Sequence, residues 1–192
     1  LPGNANYFYA RYTMGIAYSR MSKWDEAENS FRDITEQPTS NQSEKDLQDA
    51  ARVKLGHIFF SGENANIAEA ARLYGQVKSS SPVYDEAMLG VAWAFIKVNK
   101  PDEAIKPAQW IIANLPKSFL ISEAYLVEGY CHFMKKDYKR AETSLRQAEK
   151  LTEQPVVSMA ARDSARKAYE DMSEEFESVQ QQALDLARQL PT

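Results

Sequence analysis

One pattern of small and large residues recurs four times along the chain, and this repeat limits the fold more than any other feature. Each unit has a glycine inside an apolar run, and these glycines are Gly15, Gly56, Gly90 and Gly129. An alanine follows 12 or 14 positions later, at Ala27, Ala70, Ala104 and Ala141. The residues four positions beyond the alanines are Phe31, Tyr74, Ala108 and Leu145, and the prolines that close the units are Pro38, Pro82, Pro116 and Pro155. Successive glycines are 41, 34 and 39 residues apart, which leaves room for two helices in each unit.

Each unit is predicted to form two helices that pack against each other. The glycine and the alanine let helix backbones approach closely, and the residue four positions after the alanine fills the space between helices. Proline has no N–H and cannot continue a helix, so it ends the unit. With only 7 glycines and 8 prolines in 192 residues, the composition also favours an all-α fold. The predicted helices span residues 5–21, 24–37, 44–61, 66–79, 83–98, 101–114, 119–135 and 138–153.

The repeat resembles that of the tetratricopeptide family, whose pattern is W-x2-L-G-x2-Y, then A-x3-F, then P. The glycine and alanine positions match in all four units, whereas the first tryptophan is absent and Ala108 and Leu145 replace the large aromatic residue. The resemblance implies a right-handed superhelix of antiparallel helix pairs within a domain of residues 1–155. The repeats would lie at about residues 5–38, 44–82, 83–116 and 119–155. The extra residues, 39–43 and 62–66, are expected to form loops.

Residues 156–192 depart from the repeat and are predicted to form a long C-terminal helix. Neither Gly nor Pro occurs from residue 156 to 190, and apolar residues recur at steps of three and four, which keeps one helix face apolar. Such a helix would be about 50 Å long. It is expected to cap the fourth repeat and to overhang it beyond Met172. The alternative is a homodimeric coiled coil through residues 172–190, because mixed steps of three and four approximate a heptad seam.

In tetratricopeptide proteins the first helices of successive units line a concave surface, and the resemblance assigns five positions around each glycine to it. Here these positions are mostly apolar and aromatic, which suits an extended or helical peptide with apolar anchors. The residues predicted to bind a partner are Tyr12, Ile16, Arg20, His57, Phe60, Phe95, Tyr130 and Phe133. Arg20 is the one Lys or Arg among the groove positions, so binding of a peptide's terminal carboxylate is disfavoured. The alternative is that the chain's own helices cover these residues.

No catalytic, cofactor or metal site is predicted. His57 and His132 have no metal-ligating neighbour at suitable spacing except Cys131, which adjoins His132 and points to another helix face. The sequence has no phosphate-binding loop or dinucleotide fingerprint. A net charge of −4 without a basic stripe disfavours nucleic-acid binding, and no apolar run is long enough for a membrane-spanning helix. The chain is therefore predicted to be a protein–protein interaction scaffold and not an enzyme.

Three features bear on origin and compartment. The chain begins Leu1-Pro2-Gly3 and is expected to be a mature form or a piece of a longer protein. The single cysteine, Cys131, excludes an internal disulfide and is expected to be a small core residue. The irregular loops and residues 83–112 look similar to bacterial envelope tetratricopeptide proteins that assist outer-membrane or division machinery. That similarity favours a periplasmic location.

Overall fold

A computed structural model describes residues 5–61 and 65–153, and this part of the chain forms eight helices and no strand. The helices are α1 (Ala5–Arg20), α2 (Trp24–Thr35), α3 (Gln42–Ser61), α4 (Ile67–Gly75), α5 (Tyr84–Lys97), α6 (Pro101–Asn114), α7 (Ile121–Met134) and α8 (Tyr138–Glu153). The predicted all-α fold is therefore confirmed for these residues. The largest difference in helix bounds is at α4, which ends at Gly75 and not at residue 79. The helix predicted for residues 156–190, with its dimer alternative, lies outside the described residues.

The helices α1 to α7 form two layers. Each contacts the next along the chain, and α1, α3, α5 and α7 also contact one another in that order. Connections of three residues, at 21–23, 98–100 and 135–137, keep the helices of a pair side by side. The last helix, α8, packs on α7 through Ser144, whose hydroxyl donates to Glu128 at 2.9 Å. The odd-numbered helices α1 to α7 thus make one continuous layer, with α2, α4 and α6 packed beside it.

Large side chains of the even-numbered helices occupy the space beside the repeat glycines. The sequence pattern predicts that Phe31, Tyr74 and Leu145 fill space between helices, and in the structure they contact Gly15, Gly56 and Gly129, respectively. A Cβ on Gly15 would lie 2.5 Å from the Phe31 ring, so a larger residue would force the ring to move. The third unit differs because Ala108 has no large side chain. There the ring against Gly90 is Tyr74 of the preceding unit.

The core contains Cys131, as the sequence predicts. The Cys131 side chain is fully buried in a cluster formed by α5, α6 and α7. Burial raises the pKa of its thiol to about 11, with a smaller contribution from the Glu128 carboxylate. Because a neutral, buried thiol is a poor nucleophile and a poor metal ligand, Cys131 serves as a small packing residue.

Three turns inside the helix pairs share one backbone conformation. The left-handed residues are Ser22, Asn99 and Lys136, with φ of 56°, 58° and 62°. The next N–H in each turn donates at 2.9 Å to a carbonyl five residues earlier, in the pairs Lys23 to Tyr18, Lys100 to Phe95 and Asp137 to His132. This bond is typical of helices that end on a left-handed residue, a position where glycine is usual. The turns therefore repeat in geometry although their residues differ.

Candidate functional site

The odd-numbered helices carry two adjoining cavities. The α1–α3 cavity has a volume of about 600 Å³, and its lining includes Ile16, Arg20, Trp24, Lys54, His57 and Ile58. The α3–α5 cavity has a volume of about 270 Å³, and its lining includes His57, Phe60, Tyr74, Glu86, Trp93 and Glu123. Since His57 lines both, the two cavities meet at this side chain. We call the two cavities together the groove.

Opposite charges from α3 and α5 meet beside His57. Lys54 Nζ lies 2.8 Å from Glu86 Oε1, and His57 Nε2 lies 3.7 Å from the same oxygen. Lys54 and His57 are three positions apart and therefore share one face of α3. The Lys54 and Glu86 side chains are 31% and 30% exposed, so their ion pair adds little stability. It does fix the positions of two charges at the junction of the cavities.

The imidazole of His57 is partly exposed and packs beside the ring of Tyr74. Its side chain is 45% exposed, while its ring centroid lies 5.6 Å from that of Tyr74. Loss of hydration lowers the pKa of His57 from 6.5, and the Lys54 ammonium acts in the same direction, whereas the Glu86 carboxylate raises it. His57 is therefore mainly neutral at neutral pH. A neutral imidazole can both donate and accept a hydrogen bond at the groove.

A hydrogen bond from α5 to α7 fixes the far wall of the groove. Trp93 Nε1 donates to Glu123 Oε1 at a distance of 2.8 Å, and both residues line the α3–α5 cavity. A bond to an ionised acceptor is stronger than one between neutral groups. The indole of Trp93 is consequently held at the groove surface, and the Glu123 carboxylate adds negative charge at this end.

An exposed aromatic patch, formed by Tyr130, Phe133 and Tyr138, lies where α7 turns into α8. The rings of Tyr130 and Phe133 stack with centroids 6.4 Å apart, and Phe133 meets Tyr138 edge-on at 5.9 Å. These side chains are 43%, 55% and 61% exposed. Exposed aromatic surface of this kind is a common feature of protein interaction sites.

The structure places six of the eight sequence-predicted partner residues at the two cavities and the aromatic patch. Ile16 and Arg20 line the α1–α3 cavity, Phe60 lines the α3–α5 cavity, and His57 lines both. The two predicted residues of α7, Tyr130 and Phe133, belong to the aromatic patch and are not part of the lining of either cavity.

The other two predicted residues pack largely against the protein's own helices. Tyr12 is half-buried with its ring 5.7 Å from that of Phe31, and burial raises the pKa of its hydroxyl. Phe95 is half-buried against the cluster formed by α5, α6 and α7. The chain's own helices therefore cover part of the surface of these two side chains.

Sequence reasoning missed the groove residues Lys54, Glu86 and Trp93, whereas Glu123 is one of the groove positions that the resemblance assigns. Lys54 precedes His57 by three positions on α3, and this helical spacing is a signal that could have placed it on the groove face. It also adds a second cation to the cavity that Arg20 lines, although Glu86 neutralises it. No spacing signal links Trp93 to Glu123, because they lie on different helices.

Comparison with protein-family models gives no match for this chain, and comparison with curated proteins gives none either. Within residues 5–61 and 65–153, no group of three or more His, Cys, Asp or Glu side chains is arranged to hold a metal ion. Over the same residues, no helix is at once long and apolar enough to cross a membrane. A function has to be inferred from the groove, the aromatic patch and their charges.

Proposed function

We propose that this protein is a tetratricopeptide-like, right-handed solenoid of antiparallel helix pairs that binds a partner protein and does not act as an enzyme. The arrangement of layers supports this proposal. The helices α1, α3, α5 and α7 contact one another in order, whereas in the described part of the chain no Cα atoms of α2, α4 and α6 come within 8 Å of one another. In a curved stack the helices of the inner layer lie closer together, so the odd-numbered helices would form the concave side.

The observation that carries the proposal is the meeting of the two cavities at His57. Their volumes, about 600 Å³ and 270 Å³, are sufficient for one or two anchoring side chains of a bound segment. The walls include Ile16, Phe60 and Trp93, which would contact an apolar anchor. Arg20 at one end and Glu123 at the other would give the bound segment a direction.

The aromatic patch supplies a second contact in this proposal. Tyr130 and Phe133 are on α7, the helix that carries Glu123 in its first turn. Binding sites often concentrate their energy in a few aromatic anchors. A partner segment that occupies the groove and continues along α7 would therefore reach this patch.

The experiment that tests the proposal is selection of binders from a random peptide display library, followed by affinity measurements on variants. We expect enriched peptides to carry leucine or aromatic anchors. Phe60→Ala and Tyr130→Ala should each weaken binding by about tenfold or more. The matched control is Phe119→Ala, because Phe119 is 79% exposed and lies in neither the groove nor the patch.

Circular dichroism of each variant separates lost binding from lost folding. The proposal fails if the enriched peptides have no apolar anchors in common. It also fails if the folded groove and patch variants bind the selected peptides as tightly as Phe119→Ala does.

A second candidate function is self-association through residues 172–190, which are outside the described part of the chain. The apolar stripe in the sequence of this segment favours it, because its steps of three and four suit a helix–helix seam. Light scattering on the chain with and without residues 172–192 tests it. A dimer mass that becomes a monomer mass on truncation supports the candidate, and an unchanged mass excludes it.

Assembly in a bacterial envelope is part of the proposal and rests on the resemblance of the irregular loops and residues 83–112. Expression of the natural full-length protein followed by cell fractionation tests it. Recovery with periplasmic or envelope markers supports this location, and recovery with cytoplasmic markers contradicts it.

A further inference from the structure

We infer that a cavity at the junction of α2, α3 and α4 binds a small phosphate monoester with an apolar group. The cavity has a volume of about 470 Å³, within the range of small-molecule sites. Its cationic lining residues are Arg32, Lys45, Arg52, Arg72 and Lys78. We call it the basic cavity. It shares no lining residue with the groove, so it goes beyond the function proposed above.

The basic cavity carries a net positive charge, whereas the whole chain carries a net negative charge. Five cations line it, against two lining acids, Glu36 and Asp49, and Glu28 and Glu69 pair with Arg32 and Arg72 from outside the lining, which leaves a net charge of +1. The chain as a whole carries a net charge of −4. A surface that is basic only by chance in an acidic protein would be expected to have its cations dispersed. Here residues from three helices and from the segment after α4 direct their charge at one concavity.

The three arginines are each held by an acid on the same helix. Ion pairs join Arg32 to Glu28 at 2.5 Å, Arg52 to Asp49 at 2.6 Å, and Arg72 to Glu69 at 2.6 Å. A guanidinium has five N–H groups, and the hydrogen bonds to these carboxylates use one or two of them. The acids therefore orient the forks and leave several donors for an oxyanion. Orientation before binding reduces the entropy that a ligand must overcome.

The two lysines have no carboxylate within ion-pair distance in the described part of the chain. Lys45 lies on α3 and Lys78 follows α4, and both side chains are exposed. Their ammonium groups are thus available to neutralise a dianion. A phosphate monoester carries close to two negative charges at neutral pH, which matches these two unpaired ammonium groups better than a single carboxylate does.

Three of the residues that line the basic cavity are apolar. Leu55, Phe59 and Leu73 line it, and the guanidinium carbon of Arg32 lies 5.9 Å from the centroid of the Phe59 ring. Leu55 and Leu73 are almost fully buried, but an inorganic ion would leave the exposed part of the Phe59 ring in contact with water. A phosphate with an aromatic or alkyl group would cover it, so the ligand should combine both features.

Calorimetric titration of the intact chain at low salt tests this inference with three probes: phenyl phosphate, methyl phosphate and inorganic phosphate. We expect saturable binding at one site per chain, tightest for phenyl phosphate. The variant Lys45→Gln/Lys78→Gln should bind phenyl phosphate about tenfold or more weakly, because two charge-assisted contacts are lost. The control Lys117→Gln/Lys139→Gln changes the net charge equally at exposed lysines outside the cavity and should bind as the unmodified chain does.

Amide chemical shifts locate the bound probe. Saturable shifts at Thr35, Thr39 and Gln76, which line the basic cavity, support the inference. Absence of saturable binding overturns it, and so does equal weakening in the control variant, which would indicate unspecific attraction to lysines. Equal affinity for phenyl phosphate and inorganic phosphate overturns the assignment of an apolar group. None of these outcomes depends on peptide binding at the groove.

Discussion

The ring of Tyr74 lies directly against Gly90, so that a Cβ at position 90 would come within 2.7 Å of three ring carbons. The same ring also lies against Gly56, and its side chain is only 2% exposed. One aromatic side chain on α4 therefore fits between the glycines of α3 and α5. This arrangement joins the second and third helix pairs, and it compensates for the small residue Ala108 in the third pair.

The Tyr74–Gly90 contact predicts strong coupling between the two positions. Tyr74→Ala should lower the free energy of unfolding by about 3–5 kcal/mol, because a buried ring leaves a cavity. Gly90→Ala should lower it by about 1–3 kcal/mol through overpacking. In the Tyr74→Ala background the new methyl group has room, so Gly90→Ala should cost nothing there or stabilise the helix by about 0.5–1 kcal/mol. Urea unfolding of the four proteins measures the coupling.

Gly75→Ala is the matched control for that cycle. A Cβ at Gly75 would have no atom within 4 Å, so alanine should be tolerated or mildly favourable at the end of α4. Additive effects of Tyr74→Ala and Gly90→Ala would contradict the contact. So would a loss of stability for Gly75→Ala as large as that for Gly90→Ala.

The sequence predicted the helices well because the repeated small and large residues lie where helices pack against one another. The repeat has a small residue at Gly15 and a large one at Phe31, and in the structure the Phe31 ring contacts Gly15. The same logic could not predict the Tyr74–Gly90 contact. The pattern assigns each large side chain to its own unit, and only three-dimensional packing shows that Tyr74 reaches the next one.

The groove was predicted less completely because surface residues are not set by packing. Ile16 and Phe60 could be placed by their offset from the repeat glycines. The Lys54–Glu86 ion pair and the Trp93–Glu123 hydrogen bond join different helices, so they depend on how α3, α5 and α7 lie relative to one another. A helix start was also misplaced, since Gln42, predicted to be loop, begins α3.

The left-handed turns predict stabilising substitutions. Lys136→Gly and Ser22→Gly should raise the free energy of unfolding by up to about 1 kcal/mol, because glycine adopts positive φ without a steric cost. Asn99→Gly should have a smaller effect, since asparagine tolerates this conformation better. Thermal and urea unfolding of the three variants measure these changes. Lys106→Gly, an exposed position inside α6, is the control and should lose about 1 kcal/mol. If Lys136→Gly behaves like Lys106→Gly, the assigned turn is wrong.

The hydrogen bond between Trp93 and Glu123 predicts a difference between two substitutions at one site. Glu123→Ala removes the acceptor from a partly buried indole and should lower the free energy of unfolding by about 1–2 kcal/mol. Glu123→Gln retains an acceptor oxygen and should lose less than half of that. Urea unfolding compares them, and an indole N–H resonance that moves only in Glu123→Ala would identify the bond. Equal losses for the two variants would mean that the carboxylate has another role.

The environment of His57 predicts the direction of its titration. Because folding lowers its pKa below 6.5, the unfolded chain takes up this proton first as pH falls. The stability that His57 contributes is therefore complete at pH values above its pKa in the unfolded chain. It decreases as the pH falls through that pKa, and it is lost once the pH is below the pKa of His57 in the folded chain.

Glu86→Gln should lower the pKa of His57 further and Lys54→Gln should raise it, since these groups act in opposite directions. Proton NMR titration measures this directly, because His57→Gln identifies which of the two histidine signals belongs to position 57. A midpoint at or above 6.5 in the unmodified chain, or shifts of the same sign in the two charge variants, would contradict the arrangement of charges at the junction of the groove.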